Sequence, residues 1–255
     1  MEKTDVLGLA GKLALVTGGA SGIGAGITEA LACVGAHVII ADRNREAANA
    51  EADRLTAEGH KVSAIYLDLS DERSIAAGCD KVIADHGAPW LLVNNAGVQD
   101  RESFLEGTVQ EWDRMHAVNA RGPFLLTRNM AKAMVAQGRG GRIVNVASAA
   151  LTGSIVRGLV AYTASKGALA GLSRATAFEL AEYGITVNTV LPGGVPTPGA
   201  IAAKGPVPEG PARRAVPLGM CSADDIAGAV VYFASALASK VTNQTLAVDG
   251  GFSVT

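Results

Sequence analysis

Short runs of apolar, often β-branched residues recur along the chain and alternate with longer segments whose apolar positions follow the helical period. Seven such runs predict strands, at residues 12–17, 37–41, 61–67, 90–93, 142–147, 185–191 and 245–248. The runs are continuously apolar rather than alternating, which is typical of parallel strands covered on both faces. The pattern therefore predicts an α/β fold, a doubly wound sheet of seven mainly parallel strands with helices on both faces.

No internal repeat, low-complexity tract or linker divides the chain, so we expect residues 1–255 to form a single domain. One stretch, residues 192–217, is rich in proline and glycine. It lies between the sixth strand and a helix whose start is marked by the capping pattern Ser222-x-x-Asp225. An interruption of this kind in a compact domain predicts a substrate lid, here over residues 193–218.

Composition narrows the classes of partner. The formal charge is only −2, so we expect neither nucleic acid nor an anionic membrane as a partner. The first five residues lack a signal-peptide pattern, and no run of about 18 uncharged apolar residues could span a bilayer, which predicts a cytoplasmic protein. Cys33, Cys79 and Cys221 are far apart and the histidines show no ligand spacing, which predicts buried reduced thiols and no metal.

A glycine-rich turn, Thr17-Gly18-Gly19-Ala20-Ser21-Gly22-Ile23-Gly24, directly follows the first predicted strand and precedes a helical pattern. Gly18 and Gly22 let the backbone approach a pyrophosphate, and Gly24 lets the helix pack against the sheet with its N-terminus facing the anion. A glycine-rich loop without a ligand is the alternative. An acidic residue at the end of the next strand favours a dinucleotide site, and with it a Rossmann-type sheet.

That acidic residue is Asp42, whose carboxylate can accept hydrogen bonds from the adenosine ribose and repels the additional phosphate of NADP. The neighbouring Arg43 can pair with a 2′-phosphate, but we give Asp42 more weight because a strand end points at the ribose. NAD is therefore the expected cofactor, with NADP less favoured. Asp68, at the end of the third strand, is expected either at the adenine edge or as the cap of a helix that begins near Asp71.

Tyr162 and Lys166 are four residues apart in a helical segment, so their side chains share one face. A phenol has a pKa of about 10, and a neighbouring ammonium favours its ionised form, which makes the pair a candidate acid/base. The same spacing is also common on helix surfaces. Ser148 follows the fifth strand, where open α/β sheets bind ligands, and its hydroxyl is a candidate for holding a substrate oxygen; an ordinary turn serine is the alternative.

Four motifs, in their order along the chain, resemble those of the short-chain dehydrogenase/reductase family from about Leu9 to the C-terminus. They are Thr17-Gly18-x-x-x-Gly22-Ile23-Gly24, Asn94-Asn95-Ala96-Gly97, Ser148 and Tyr162-x-x-x-Lys166. The resemblance implies an oxidoreductase that moves a hydride between NAD(H) and a secondary alcohol or ketone, with Tyr162 as general acid/base. It also implies that Asn119 supports a water and Lys166 in a proton relay.

The resemblance carries over to three groups of residues. The expected catalytic residues are Asn119, Ser148, Tyr162 and Lys166. The expected cofactor contacts are Gly18, Ser21, Gly22, Ile23, Gly24, Asp42, Arg43, Asp68, Leu69, Asn95, Ala96, Gly97, Tyr162, Lys166, Pro192, Gly193, Val195 and Thr197. The expected substrate contacts are Ser148, Ala150, Ile155 and Tyr162. Residues 94–97 are expected to stabilise the sheet more than to take part in chemistry.

The lid departs most from the family pattern. In the family, Pro192-Gly193 begins the segment that closes over the nicotinamide, and a threonine near the position of Thr197 contacts the carboxamide. Here a second glycine, Gly194, and the prolines at positions 196, 198, 206, 208 and 211 predict a loop with little helix. The alignment of Val195 and Thr197 with the family's residues therefore stays open.

Two other functions compete with an alcohol dehydrogenase. A 3-oxoacyl-carrier-protein reductase is disfavoured by Asp42, and by Tyr183 at a position where such reductases often have arginine, although Arg139 could contribute to a docking patch for the carrier. A nucleotide-sensing protein without catalysis is disfavoured by the complete set of Asn119, Ser148, Tyr162 and Lys166.

Substrate and assembly are predicted only in outline. A mainly apolar wall near Ser148 favours a carbon-rich alcohol or ketone, and it comprises Ala149, Ala150, Leu151, Ile155 and Val156. Several polar residues are alternative contacts that more often face solvent, among them Gln99, Asp100, Arg101, Lys204 and Arg213. Small residues along the helical segment 161–183 predict close packing against a second subunit, in the homotetramer common in the family.

Overall fold

The computed structural model describes residues 5–255 and contains one seven-stranded sheet. Its strands are β1 (Leu13–Thr17), β2 (His37–Asp42), β3 (Val62–Tyr66), β4 (Leu91–Asn94), β5 (Gly141–Val146), β6 (Ile185–Pro192) and β7 (Thr245–Val248). The spatial order is β3-β2-β1-β4-β5-β6-β7, and every neighbouring pair is parallel. The predicted doubly wound sheet is confirmed. Residues 1–4, which the sequence analysis used in its prediction of location, lie outside the described residues.

Eight α-helices connect and cover the strands of this part of the chain. They are α1 (Gly22–Cys33), α2 (Arg45–Ala57), α3 (Glu72–His86), α4 (Val109–His116), α5 (Gly122–Gln137), α6 (Val160–Leu180), α7 (Pro198–Ala202) and α8 (Ala223–Ala234). The predicted capping box begins α8, since the Ser222 hydroxyl accepts from the Asp225 amide and the Asp225 carboxylate accepts from the Ser222 amide. No helix of residues 5–255 is long and apolar enough to cross a membrane.

Two apolar cores lie on opposite faces of the sheet because successive strand side chains alternate between faces. In β1, Ala14 and Val16 pack into a core with α1 and α8, whereas Leu15 packs into a second core with α3, α5 and α6. Both cores are almost free of solvent contact, with Val16 and Leu15 each 0% exposed. Burial on both faces explains why the strands are continuously apolar in sequence.

The structure corrects two details expected from the sequence. Asp71, not Asp68, caps α3, because its carboxylate accepts from the Arg73 amide. Cys33 is exposed at the end of α1, while Cys79 and Cys221 are buried as predicted. The proline-rich segment contains little helix, as expected: α7, which begins at Pro198, and a 3-10 turn, Pro211–Arg213.

Candidate active site

A cavity of about 850 Å³ opens at the carboxyl edge of the sheet. β1 and β4 are neighbours in the sheet. After β1 the chain continues to β2 on one side, and after β4 it continues to β5 on the other side. The loops that follow β1 and β4 separate at that point, and open α/β sheets bind their ligands in the resulting crevice. Gly18, Asn95, Ser148 and Tyr162 line the same cavity although they are far apart in sequence.

Several glycines of the turn after β1 have no room for a side chain. Gly18 and Gly22 have φ angles of +63° and +55°, which L-residues with a Cβ rarely adopt. A Cβ on Gly18 would lie 2.9 Å from Cα of Ala96, and a Cβ on Gly24 would collide with the carbonyl oxygen of Gly18. The turn is therefore held against the end of β4, with the N-terminus of α1 facing the cavity.

Polar groups of β1 and the residue after β4 fix this contact. The Asn95 side-chain amide donates to the Thr17 carbonyl at 3.0 Å, and the Thr17 hydroxyl accepts from the amides of Asn95 and Ala96. The structural weight that the sequence analysis gave to residues 94–97 agrees with this geometry. The hydroxyl of Thr17, which was not among the predicted site residues, also lines the cavity.

Asp42 lies at the cavity wall at the end of β2. Its carboxylate accepts from the Asn44 amide at 2.9 Å and from the Ala20 amide at 3.4 Å, so backbone groups fix its direction. Arg43 and Asp68 line the same part of the cavity, and Asp68 also accepts from the amide and the hydroxyl of Ser70. A bare glycine cradle beside a fixed carboxylate fits the pyrophosphate and ribose of a dinucleotide.

Ser148 and Tyr162 bring two hydroxyl groups together on the other side of the cavity. Ser148 follows β5 and accepts from the Ala150 amide, and Tyr162 lies in the first turn of α6. Burial raises the pKa of Tyr162 because the phenolate loses solvation, whereas a hydrogen bond with Ser148 lowers it. The sequence led us to expect that Lys166 lowers this pKa; the net direction is the reverse, because desolvation outweighs the effect of Ser148.

Lys166 is buried and forms part of the cavity lining. Its ammonium donates to the Val146 carbonyl at 2.8 Å and lies 5.9 Å from the centre of the Tyr162 ring. Burial lowers the pKa of Lys166 to about 8, because the charged form is poorly solvated there. The side chain therefore remains mainly cationic at neutral pH, close to the tyrosine but not bonded to it.

Asn119 lies in a π-helical turn, Ala117–Arg121, between α4 and α5, and is fully buried. Its side chain accepts from the Val98 amide and donates to the Val98 carbonyl and to the Ser165 hydroxyl. Ser165 in turn donates to the carbonyl oxygen of Tyr162 at 2.7 Å. Asn119 thus joins the loop after β4 to the start of α6 from behind the cavity. Ser165, which sequence reasoning missed, gave no signal beyond its place next to Lys166.

Hydrogen bonds join the segment predicted as a lid to both sides of the cavity. The Lys204 amide donates to the Asp100 carboxylate, and the Arg101 amide donates to the Lys204 carbonyl. On the other side, the Ala212 amide donates to the Ile155 carbonyl. Asp100 is itself paired with Arg114. Asp100 and Arg101, which were expected in solvent or against substrate, therefore hold the segment over the cleft.

The structure places nearly all of the predicted contacts around one cavity. Every residue expected to contact the cofactor lines it, and Val195 and Thr197 are among them. Of the expected substrate contacts, Ser148, Ala150 and Tyr162 line the cavity and Ile155 does not. Ile155 is 40% exposed, and its carbonyl accepts from the Ala212 amide of the lid segment. No group of three or more potential metal ligands occurs among residues 5–255.

The chain is similar to known oxidoreductases over nearly its whole length. A family model described as enoyl-(acyl carrier protein) reductase matches residues 18–253. D-threitol dehydrogenase of Mycolicibacterium smegmatis is 39% identical over 96% of this chain and 94% of its own length.

Two solved structures have the same fold. A putative NAD(P)-dependent gluconate 5-dehydrogenase of Beutenbergia cavernae, with bound NADP, matches with a TM-score of 0.87 and 35% identity over 97% of this chain and 99% of its own. The 3-ketoacyl-(acyl-carrier-protein) reductase of Brucella melitensis, in complex with NADH, matches with a TM-score of 0.85 and 34% identity over 96% of this chain and 99% of its own.

Gly24→Ala tests the glycine cradle. The added methyl group collides with the Gly18 carbonyl, so we expect the turn to shift and NADH affinity to fall about tenfold or more, measured by NADH fluorescence titration. Gly228→Ala in α8 is the matched control, because a Cβ there meets nothing within 4 Å. The control should bind NADH as the wild type does and gain up to about 1 kcal/mol of stability. Unchanged NADH affinity in Gly24→Ala would contradict the assignment.

Proposed function

Because the chain belongs to the short-chain dehydrogenase/reductase family, we propose that it transfers a hydride between NAD(H) and a secondary alcohol or its ketone, with Tyr162 as general acid/base. Membership makes it a nicotinamide-dependent oxidoreductase of alcohols and ketones. The role of Tyr162, the preference for NAD and the class of alcohol are our proposals. The observation that carries them is that the hydroxyl-bearing side chains of Ser148 and Tyr162 line the same cavity as the glycine turn.

In the proposed mechanism the two hydroxyls meet the reacting oxygen of the substrate. During oxidation, the Tyr162 phenolate accepts the proton of the alcohol, while the Ser148 hydroxyl donates a hydrogen bond to the same oxygen. During reduction, the Tyr162 phenol gives its proton back. The Lys166 ammonium adds positive charge beneath them at neutral pH, and Asn119 and Ser165 position α6. The nicotinamide, when bound, accepts or gives the hydride.

Asp42 supports the proposed preference for NAD. Its carboxylate is fixed by two backbone amides at the wall where a ribose would lie, and a carboxylate there repels a 2′-phosphate. Arg43 lines the same wall and is the group that would pair with that phosphate. One similar structure holds NADP and another holds NADH. The support for NAD over NADP therefore comes from Asp42 itself.

The residues around the substrate end favour a small polyhydroxylated alcohol rather than the carbon-rich one that the sequence suggested. Ala150, Val156 and Leu159 provide apolar surface there, but several polar side chains also line the cavity. They include Gln99, Ser154, Lys204 and Arg213, whereas Asp100 and Arg114 pair with each other and the Arg101 guanidinium donates to carbonyls of the lid segment. A substrate with several hydroxyl groups can satisfy such donors and acceptors. The names of the similar threitol and gluconate dehydrogenases agree with this class.

We also propose that residues 193–218 close over the bound substrate, since their hydrogen bonds join them to both walls of the cleft.

A symmetric homotetramer accounts for two exposed apolar regions. One contains the small residues Ala168, Gly171 and Ala175 of α6 together with Phe178, which is 87% exposed; the other is the edge strand β7. A monomer mass in light scattering would contradict the tetramer. The free thiols fit the reducing cytoplasm that we propose as its location.

A 3-oxoacyl-carrier-protein reductase remains the second candidate, because one of the similar structures has that activity in its name. The residues here give it less support. Arg139, the candidate for a docking patch, precedes β5, whereas Ser148 follows that strand. At about 3.3 Å per residue, the six residues of β5 put roughly 20 Å between them. Turnover of a carrier-linked 3-oxo substrate at the rate of a free alcohol would favour this candidate.

Tyr162→Phe tests the general acid/base and separates an enzyme from a nucleotide sensor. Loss of the hydroxyl should lower kcat by about 10³-fold with polyol substrates, because the proton has no acceptor, while NADH affinity stays within about twofold. Tyr183→Phe is the matched control, since Tyr183 is 46% exposed outside the cavity, and its kcat should not change. Wild-type protein without turnover on any four- to six-carbon polyol would contradict the proposal, as would full activity in Tyr162→Phe.

The raised pKa of Tyr162 predicts opposite pH profiles for the two directions. A phenol whose pKa lies above its ordinary value stays protonated at neutral pH, so reduction proceeds there and slows as the phenol ionises. Oxidation needs the phenolate and should accelerate as the pH rises from about 6 to about 10. Initial rates in both directions at saturating cofactor measure this. A flat oxidation profile over this range would show that Tyr162 does not limit proton transfer.

Asp42→Ala tests cofactor choice. With the carboxylate removed, repulsion of the 2′-phosphate disappears and Arg43 remains to pair with it. We expect the ratio of kcat/KM for NADP to that for NAD to rise about tenfold or more. Asp53→Ala, at an exposed position of α2, removes the same charge away from the cavity and should leave the ratio unchanged. An unchanged ratio in Asp42→Ala would show that another group sets the preference.

A further inference from the structure

A second cavity, of about 390 Å³, opens at the amino edge of the sheet, at the end of the strands opposite the active site. We call it the basal cavity. Its lining residues come from the segments that enter β1, β2, β3, β4 and β5 and from the C-terminal ends of α3 and α5. They include Lys12, His37, Lys61, Asp85, Trp90 and Arg139. None of them belongs to the proposed reaction.

The parallel strand order collects positive charge at this edge. The His37 amide donates to the Lys12 carbonyl, and the Val38 amide donates to the Lys61 carbonyl, so the residues that enter β1, β2 and β3 lie side by side. Neighbouring strands are about 4.8 Å apart. On the other side of β1, the Trp90 amide donates to the Leu13 carbonyl, which continues the row towards β4 and Arg139. Lys12, Lys61 and Arg139 therefore surround one cavity although they are distant in sequence.

Carboxylates of the described residues do not neutralise these three cations. None of the three forms a salt bridge within residues 5–255. The only acidic side chain at the cavity, Asp85, is paired with Lys81 at 2.7 Å. Behind the wall, the guanidinium of the buried Arg142 lies 4.8 Å from the ring centre of Trp90, and its Nε has no hydrogen-bond partner.

Two helices also have their C-termini at the cavity. The partial negative charges of helix C-termini commonly attract cationic side chains, which is the structural explanation for cations at this place. α3 ends at His86 and α5 at Gln137. Each C-terminus is equivalent to about −0.5 charge, so together they offset about one of the three cations. The basal cavity keeps a net positive charge. Burial and the nearby Lys61 lower the pKa of His37, which agrees with a positive environment.

We propose that the basal cavity is a second ligand site, which binds a phosphate group through Lys12, Lys61 and Arg139. All three cations line the same cavity, and a phosphate dianion presents three oxygens to them, whereas a carboxylate presents two and one negative charge. The volume exceeds that of one phosphate ion, so a phosphate ester fits as well as the free ion. The free ion and the ester present the same anionic phosphate oxygens to the three cations.

Phosphate titration tests the site in the full-length protein saturated with NADH, which keeps phosphate from the glycine turn of the active site. Isothermal titration calorimetry should show saturable binding of sodium phosphate, and thermal unfolding should show a matching rise in Tm. Sodium chloride at equal ionic strength should give no such rise. Glycerol 3-phosphate and glycerol form a second pair: tighter binding of the ester than of inorganic phosphate indicates an ester as the ligand, and equal or weaker binding indicates the free ion.

Charge-removing variants locate the binding. Lys61→Gln and Arg139→Gln each remove one charge-assisted contact and should weaken phosphate binding roughly tenfold. Lys132→Gln removes the same charge from an exposed position of α5 outside the cavity and should bind phosphate as the wild type does. The proposal is overturned if chloride reproduces the Tm rise, if phosphate binding is absent with NADH bound, or if Lys61→Gln and Arg139→Gln bind like Lys132→Gln. Unchanged turnover in these variants separates the basal cavity from the proposed reaction.

Discussion

The active site depends on the close contact between the glycine turn after β1 and the residues that follow β4. Gly18 lies against Ala96, Gly24 lies against the Gly18 carbonyl, and the Asn95 amide holds the Thr17 carbonyl at 3.0 Å. This contact allows the N-terminus of α1 to face the cavity, and it places the loop after β4 over Asn119. A side chain at Gly18 or Gly24 would push the turn away from the end of β4, at the point where a dinucleotide would lie.

Burial governs the chemistry of the ionisable groups in the cavity. It raises the pKa of Tyr162 and lowers that of Lys166, so both side chains are pushed towards their neutral forms. An acid/base that must exchange a proton needs both of its states within reach, and Ser148 opposes the effect of burial on Tyr162. The hydrogen bonds of Asn119 and Ser165 fix α6, so the positions of Tyr162 and Lys166 depend on buried polar contacts outside the cavity.

The two edges of the parallel sheet have different electrostatic roles. The carboxyl edge receives helix N-termini, including that of α1, whose amides face the cavity as donors for an anion. The amino edge receives helix C-termini, so anion binding there needs full positive charges from side chains. Lys12, Lys61 and Arg139 supply more charge than those termini offset. One strand order thus produces two cavities, in which different groups provide the positive potential.

The sequence by itself determined the fold, because continuous apolar runs separated by helical segments are a local pattern typical of parallel strands covered on both faces. It also indicated Asp42 from its place at a strand end, whereas the pair Tyr162 and Lys166 became a candidate acid/base only together with the other family motifs. Only the tertiary structure decided what depends on neighbours distant in sequence. It left Ile155 outside the lining of the cavity, made Asp71 the cap of α3, and made burial the largest effect on the pKa of Tyr162. Desolvation and contact across a sheet arise from the whole fold, so no local pattern encodes them.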